Sequence, residues 1–256
     1  MEIIRVTDLG IAFKMAKRKR ARTQDVLAAW LSRGKRNIRS EFWALRHVTF
    51  GVEKGDTIGI LGRNGSGKST LLRVIGRIYP PDEGEMMVNG EVSTLFGLGA
   101  GFQPELSGVD NIYLNGVLMG LSKSYIDRIL NGIVDFADIG EFIDMPVKTY
   151  STGMQSRLGF AIAINVSKDV VLIDEIMGTG DAAFRQKCDK ALGKIIGERT
   201  IILVSHSMDT ISRFANKVIW LDKGNIVAQG KPDEVIQRYL IASHVDSKIE
   251  MRRDGA

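Results

Sequence analysis

One stretch of the chain concentrates residue types that bind phosphate. Gly62-Arg63-Asn64-Gly65-Ser66-Gly67-Lys68-Ser69 matches the spacing G-x-x-x-x-G-K-[ST], and Thr70 follows it. The glycines let the backbone wrap closely, so that successive amide N–H groups point at one anion. A helix opening at the end of the loop adds the partial positive charge of its N-terminus. Lys68 supplies a charge for the β- and γ-phosphates of a nucleotide, and the Ser69 hydroxyl is a ligand for Mg²⁺. A glycine-rich turn with an incidental lysine is the bland alternative. The context argues against it: the apolar run Thr57–Leu61 leads into the loop and a helical pattern, Ser69–Ile75, leads out.

A second group completes such a site. Val170-Val171-Leu172-Ile173 is an apolar run that ends in Asp174-Glu175. Placed beside the phosphate-loop strand, Asp174 would hold Mg²⁺, directly or through water. Glu175 would be the general base that polarises an attacking water. Alone, a strand followed by two carboxylates is usually just a solvated loop start; paired with a phosphate loop it becomes specific. His206 ends another apolar run, Ile201–Ser205, where it could donate to a γ-phosphate. A lone histidine is more often structural, so this role depends on the rest.

These residues need a scaffold. Apolar segments at residues 2–15, 42–50, 57–61, 170–173, 200–204, 217–221 and 225–229 read as strands, the first as a strand or hairpin and the last as an edge strand after the Lys223-Gly224 turn. Helical patterns cover 108–119, 124–136, 139–144, 155–166 and 232–242, and the last dozen residues are polar and expected to fray. Short apolar strands separated by helices indicate an α/β fold with a parallel sheet.

Composition bounds the partners. The chain has 256 residues with 44% hydrophobic and 25% charged side chains, enough for a full core. A net charge of +5 suits an acidic partner without choosing among lipid, polyphosphate and nucleic acid, and is equally met by solvated lysines. The single cysteine, Cys188, excludes an internal disulfide and fits a reducing compartment. The sequence holds no stretch of about 18 apolar residues and no signal-peptide core, so a cytoplasmic location without a membrane span is expected.

The stretch Tyr150-Ser151-Thr152-Gly153-Met154-Gln155 stands between the phosphate loop and Asp174, at the head of a helical pattern. It resembles the signature of the ABC ATPases, commonly L-S-G-G-Q, in the variant form Y-S-[ST]-G-M of polysaccharide and teichoic-acid exporters. The stretches Ile133–Gly140, Pro146–Met154 and Gln155–Ile162 are similar to the wall teichoic acid exporter ATPases. The resemblance covers nearly the whole chain. It implies a P-loop NTPase (RecA-like) core with a mainly parallel sheet, an antiparallel β edge and an inserted α-helical subdomain. The core would span about 1–102 and 168–242, the helical subdomain about 103–167, with a basic insertion at 14–39 and a polar tail at 243–256.

The resemblance also implies roles. Gln103 falls at the Q-loop glutamine, which contacts Mg²⁺ or the water and couples to a membrane partner. Asp181, after Gly178-Thr179-Gly180, falls at the D-loop aspartate. Phe13 falls where an aromatic stacks on adenine, with Trp43 as second candidate and core packing as the alternative for both. Ser151, Thr152, Gly153 and Met154 would contact ATP held by a second copy, in a head-to-tail homodimer with two bound ATP and Mg²⁺. Thr152 and Met154 depart from the common signature and read as a subfamily mark, since Ser151 and Gly153 remain. The implied activity is ATP hydrolysis on the cytoplasmic face of the plasma membrane, with two copies of a separate polytopic membrane subunit. The implied cargo is a lipid-linked polymer, wall teichoic acid first, with O-antigen, capsule or galactan as the alternative. Because the chain stops soon after its last helix, selection of a modified glycan end by an appended domain is not expected. A non-transport ABC ATPase on nucleic acid is the remote rival; the single motif set and lack of sustained heptads speak against it, and no nucleic acid is expected. A regulatory nucleotide module is disfavoured by Glu175 and His206.

The insertion carries Lys14, Lys17, Arg18, Lys19, Arg20 and Arg22, then a helical pattern from Thr23 to Leu31 with Trp30 on its apolar face. Two readings stand: contact with anionic head groups or the cargo's pyrophosphate, or a solvated basic loop. Replacing Lys17 to Arg20 by glutamine separates them. Weakened flotation with anionic vesicles is expected on the first reading and unchanged flotation on the second.

Overall fold

The run Thr57-Ile58-Gly59-Ile60-Leu61 is apolar at every position because both of its faces are covered, and all five residues are buried. In the computed structural model it is β3, the middle of a six-stranded sheet. The structure describes residues 1–15, 40–95, 101–166, 168–174, 181–205 and 207–253. Glu175, His206, the Gly178-Thr179-Gly180 turn and the insertion from 16 to 39, with its helical pattern, lie outside the described residues.

The other strands of this sheet are β5 (Val92–Leu95), β6 (Val170–Asp174), β7 (Thr200–Val204), β8 (Lys217–Asp222) and β9 (Asn225–Gly230), in the order β5-β6-β7-β3-β8-β9. All pairs are parallel except β8 with β9. A separate antiparallel sheet runs β2-β1-β4, from β1 (Glu2–Met15), β2 (Ser40–Glu53) and β4 (Glu83–Val88). Residues 2–15 thus form one long strand rather than a hairpin. Lys14 belongs to that strand, opposite Glu41, and not to the insertion.

The helices are α1 (Lys68–Ile75), α2 (Gly108–Leu118), α3 (Lys123–Ala137), α4 (Thr152–Asn165), α5 (Ala182–Ile195), α6 (Met208–Phe214) and α7 (Pro232–Arg253). The segment expected as a helix at 139–144 is a tight 3₁₀ turn, Gly140–Asp144. Gly140 stands at positive φ beside Asp138, itself left-handed, and this prevents a regular start. The last helix continues past residue 242 to Arg253.

One core lies between the two sheets. Ile4, Val6, Leu9 and Leu45 of the antiparallel sheet meet Ile58, Ile60, Leu172 and Val204 of the parallel one, with Leu71, Leu72 and Ile75 of α1 between them. The alternate residues Val171, Ile173, Ile201 and Leu203 face the other way, against Phe160 of α4 and Phe184, Cys188 and Leu192 of α5. Burial pushes the Cys188 thiol up to about 12, so it stays protonated near neutrality. Residues 102–166 enclose a core of their own, with Ile112, Ile126, Ile133, Ile143 and Leu158 at its centre.

A buried polar knot fixes the entry to β3. Asp56, 8% exposed, accepts from Lys217 Nζ at 2.7 Å, from Asn216 Nδ2 at 2.9 Å and from the Glu53 amide at 3.0 Å. Burial raises its carboxyl, but the donors from Lys217, Asn216 and Glu53 outweigh that and hold it below its ordinary value of 3.8. A depressed native value means that acidification protonates the unfolded chain first. The stabilisation is therefore full above 3.8 and declines as pH falls below it towards the lowered native value. Asp56→Ala is expected to destabilise the chain by about 2–4 kcal/mol, since it strands two side-chain donors and an amide. Urea titrations at pH 7 and at acid pH check this: the difference between wild type and variant should narrow in acid.

Candidate functional site

The phosphate loop joins β3 to α1 and is shaped by two close approaches. Gly62 has φ +154°, and a Cβ there would sit 2.3 Å from the Leu221 carbonyl oxygen. Gly67 has φ +108°, and a Cβ there would sit 2.7 Å from the Ala44 carbonyl oxygen and from Leu45. Both positions exclude any side chain, on conformational and steric grounds together. Arg63, Asn64 and Gly65 form the exposed rim, while Ser66 is buried under it. The Gly224 amide donates to the Ser66 carbonyl at 3.0 Å, which ties the loop to the β8–β9 turn.

Lys68 opens α1, with its ammonium folded over the loop and donating to the carbonyls of Gly62 at 2.7 Å and Arg63 at 3.1 Å. Among the described residues no side chain caps this helix, whose N-cap is Gly67. A helix start without a capping hydroxyl suits an anion. Ser69 Oγ donates to Asp174 Oδ2 at 3.0 Å. Asp174 is not on the strand next to β3: β7 lies between, and α1 crosses it to bring Ser69 to the end of β6. Two hard oxygen donors so placed suit Mg²⁺. Thr70 is half-buried one residue further along α1.

Gln103 has an exposed side chain on the loop before α2. Ser151 is the N-cap of α4 and accepts from the Met154 amide at 3.2 Å, so Thr152, Gly153 and Met154 form the first helical turn. Asp181 is the N-cap of α5, and its Oδ1 accepts from the Phe184 amide at 2.8 Å. That amide foremost, joined by the Arg157 guanidinium, outweighs desolvation and holds the Asp181 carboxyl below the usual range. Ser151, Met154, Arg157 and Asp181 line a cleft of about 580 Å³ together with Asp138 and Phe142. Among the described residues, none of the phosphate loop lines that cleft. One chain therefore holds two groups, the phosphate loop with Asp174, and Ser151 with Asp181.

Phe13 is 40% exposed and meets the edge of Tyr79, with ring centroids 5.8 Å apart. Trp43 is half-buried against Gly10, with the Arg46 guanidinium 4.9 Å above its ring. Of the two aromatics, Phe13 has the more accessible ring.

Two residues beyond the motif positions prove to organise the site. Arg157 of α4 bonds Asp181, donates to the Asp138 carbonyl at 3.0 Å, and stacks 5.0 Å over Phe184. It is the one cation in an otherwise uncharged helix, and that isolation is its sequence signal. Asn111, fully buried, bonds the Gln103 loop; nothing in its local pattern announces this.

A parallel sheet carrying a phosphate loop, with Ser69 bound to the carboxylate that ends β6, defines the phosphate-loop nucleotide-binding class. The ABC transporter family model matches residues 45–178, more than half of the chain, and the chain belongs to that family. It is 44% identical over 219 residues to the O-antigen export system ATP-binding protein RfbB of Myxococcus xanthus, covering 83% of this chain and 49% of that protein. It is 41% identical over 199 residues to the teichoic acids export ATP-binding protein TagH of Listeria innocua, covering 77% and 59%. The chain thus spans about half to three fifths of the length of these relatives. Its fold is that of an ABC cassette. The dimeric post-hydrolysis state of the ATP-binding cassette MJ0796, bound to ADP and Pi, superposes with a TM-score of 0.71 at 21% identity, over 90% of this chain and 98% of that one.

Gly67→Ala is expected to push the loop off Ala44 and Leu45, at a cost of about 1–3 kcal/mol in stability. Binding of a fluorescent ATP analogue should fall at least about tenfold even where the variant stays folded by circular dichroism.

Proposed function

We propose that this chain is the ATP-binding and ATP-hydrolysing subunit of an ABC exporter that moves a lipid-linked cell-wall polymer, wall teichoic acid first, across the cytoplasmic membrane. The observation that carries the reading is the Ser69–Asp174 bond beneath Lys68, in a chain of this family. The names of its relatives supply the cargo class. The reading includes a homodimer, two copies of a separate membrane-spanning subunit and a peripheral position on the cytoplasmic face. Among the described residues, no helix is long and apolar enough to cross a membrane.

The residues divide the work as follows. Gly62 to Thr70 bind the phosphates, with the loop amides and Lys68 meeting negative charge. Ser69, Asp174 and Gln103 would hold Mg²⁺, which neutralises charge on the β- and γ-phosphate oxygens when bound. Glu175 takes the proton of the attacking water and His206 donates to the γ-phosphate. Phe13 stacks on adenine, a role favoured over Trp43 by its exposed ring. Ser151, Thr152, Gly153 and Met154 engage the nucleotide of the second copy, and Asp181 lies along that contact. The support for action across copies is the separation of the Ser151 cleft from the chain's own phosphate loop. Closure on ATP and opening after hydrolysis would then pass to the membrane subunits.

O-antigen export is the second reading, favoured by the relative at 44% identity. Turnover by the chain co-purified with its membrane partner, with and without a lipid-linked teichoic-acid precursor, tests both. Stimulation by the precursor is expected, with turnover in Glu175→Gln down at least about a hundredfold while ATP binding persists. Stimulation by a lipid-linked O-antigen instead would move the cargo assignment. Full turnover in Glu175→Gln would overturn the assignment of the base.

A further inference from the structure

We propose that Asn111 is a positioning residue for Gln103, acting through the backbone of the glutamine rather than its side chain. The inference rests on reading Gln103 as the residue that meets the cation or the attacking water. Asn111, on the first turn of α2, is 0% exposed. Its Oδ1 accepts from the Gln103 amide at 2.7 Å, and its Nδ2 donates to the Gln103 carbonyl at 3.1 Å. The carbonyls of Leu106 at 3.2 Å and Ser107 at 2.9 Å share the two N–H donors of the same Nδ2 with it. The orientation of the amide follows from the partners, because a backbone N–H can only donate and must face the oxygen.

This pairing takes both backbone groups of Gln103, as a neighbouring strand would, and fixes its φ and ψ. The glutamine side chain is left exposed and able to move. The arrangement exceeds what the helix needs. Ser107 and Asp110 already cap α2 in a reciprocal box, so Asn111 is spare as a cap. The far side of the loop is held as well: the Val147 amide donates to the Leu106 carbonyl and the Lys148 amide to the Pro104 carbonyl, both at 2.9 Å. Lys148 and Glu105 pair across the same contact. Residues 103–107 are thus gripped from α2 and from the segment that leads into Ser151. A serine at position 111 is too short to span both groups of the Gln103 peptide, and an aspartate keeps the acceptor but turns a carboxylate on three carbonyls.

The test uses the full chain. In Asn111→Ser, hydrogen exchange of the peptide covering 101–107 should speed up at least about tenfold, with the sheet peptides unchanged. Turnover should fall at least about tenfold with the KM for ATP unmoved. In a Gln103→Ala background the same substitution should cost little further turnover, because its effect passes through Gln103. Unchanged exchange at 101–107, or an equal loss in both backgrounds, overturns the proposal. Asn111→Asp, which keeps the volume, serves if the serine variant does not fold; its 101–107 peptide should also exchange faster, and unchanged protection there overturns the proposal as well. Wild-type turnover in Gln103→Ala would overturn the reading of Gln103, while exchange at 101–107 would still decide whether Asn111 holds the loop.

Discussion

The loop from Gly62 to Lys68 is closed by backbone pressing on backbone, and most of the molecule is arranged around that constraint. Amides can converge on a phosphate only if the chain turns tightly, and the turn is held from two sides. Leu221 of the parallel sheet presses on Gly62, and Ala44 of the antiparallel sheet presses on Gly67. Gly224 joins the two sides: its amide reaches the Ser66 carbonyl, and its own carbonyl accepts from the Arg46 amide. The loop therefore takes its shape only when both sheets have docked. The shared core of Leu9, Leu45, Ile58, Leu72 and Leu221 is what docks them.

From that loop the direction of α1 follows, and with it the meeting of Ser69 and Asp174. Since β7 separates β3 from β6, the pairing depends on a helix that crosses the intervening strand, packed by Leu71, Leu72 and Ile75. The buried face of α1 is thus as much a part of the site as its polar end.

The helices of residues 102–166 close over a different set of apolar side chains. They are tied to the sheet side of the molecule by Arg157, which reaches Asp181 at the head of α5, by Lys168 and Lys187, which donate to the carbonyls of Met119 and Asp135, and by Phe160 of α4, which packs against the sheet. A unit with a core of its own can shift relative to the sheet when those contacts rearrange. Ser151 sits on that unit, whereas Lys68 and Asp174 do not.

Much of this was legible in the chain itself. The motif Gly62–Ser69 announces its chemistry because phosphate binding demands glycine and lysine at set intervals, and the unbroken apolar runs at 57–61, 170–173 and 200–204 announce buried parallel strands. Strand β4 was not legible: Glu83, Gly84, Glu85 and two methionines show neither alternation nor β-branching, and the strand exists because β1 offers it an edge. Helix α5 hides a stripe, Phe184, Cys188 and Leu192, in a run that is polar overall. Local spacing and composition suffice to say which residues could bind phosphate and which segments had to be buried. Strand order and packing are what put β7 between β3 and β6, bring Arg157 to Asp181 and bond Asn111 to Gln103. Those pairings join elements through strand order and loop closure, and no local periodicity encodes them.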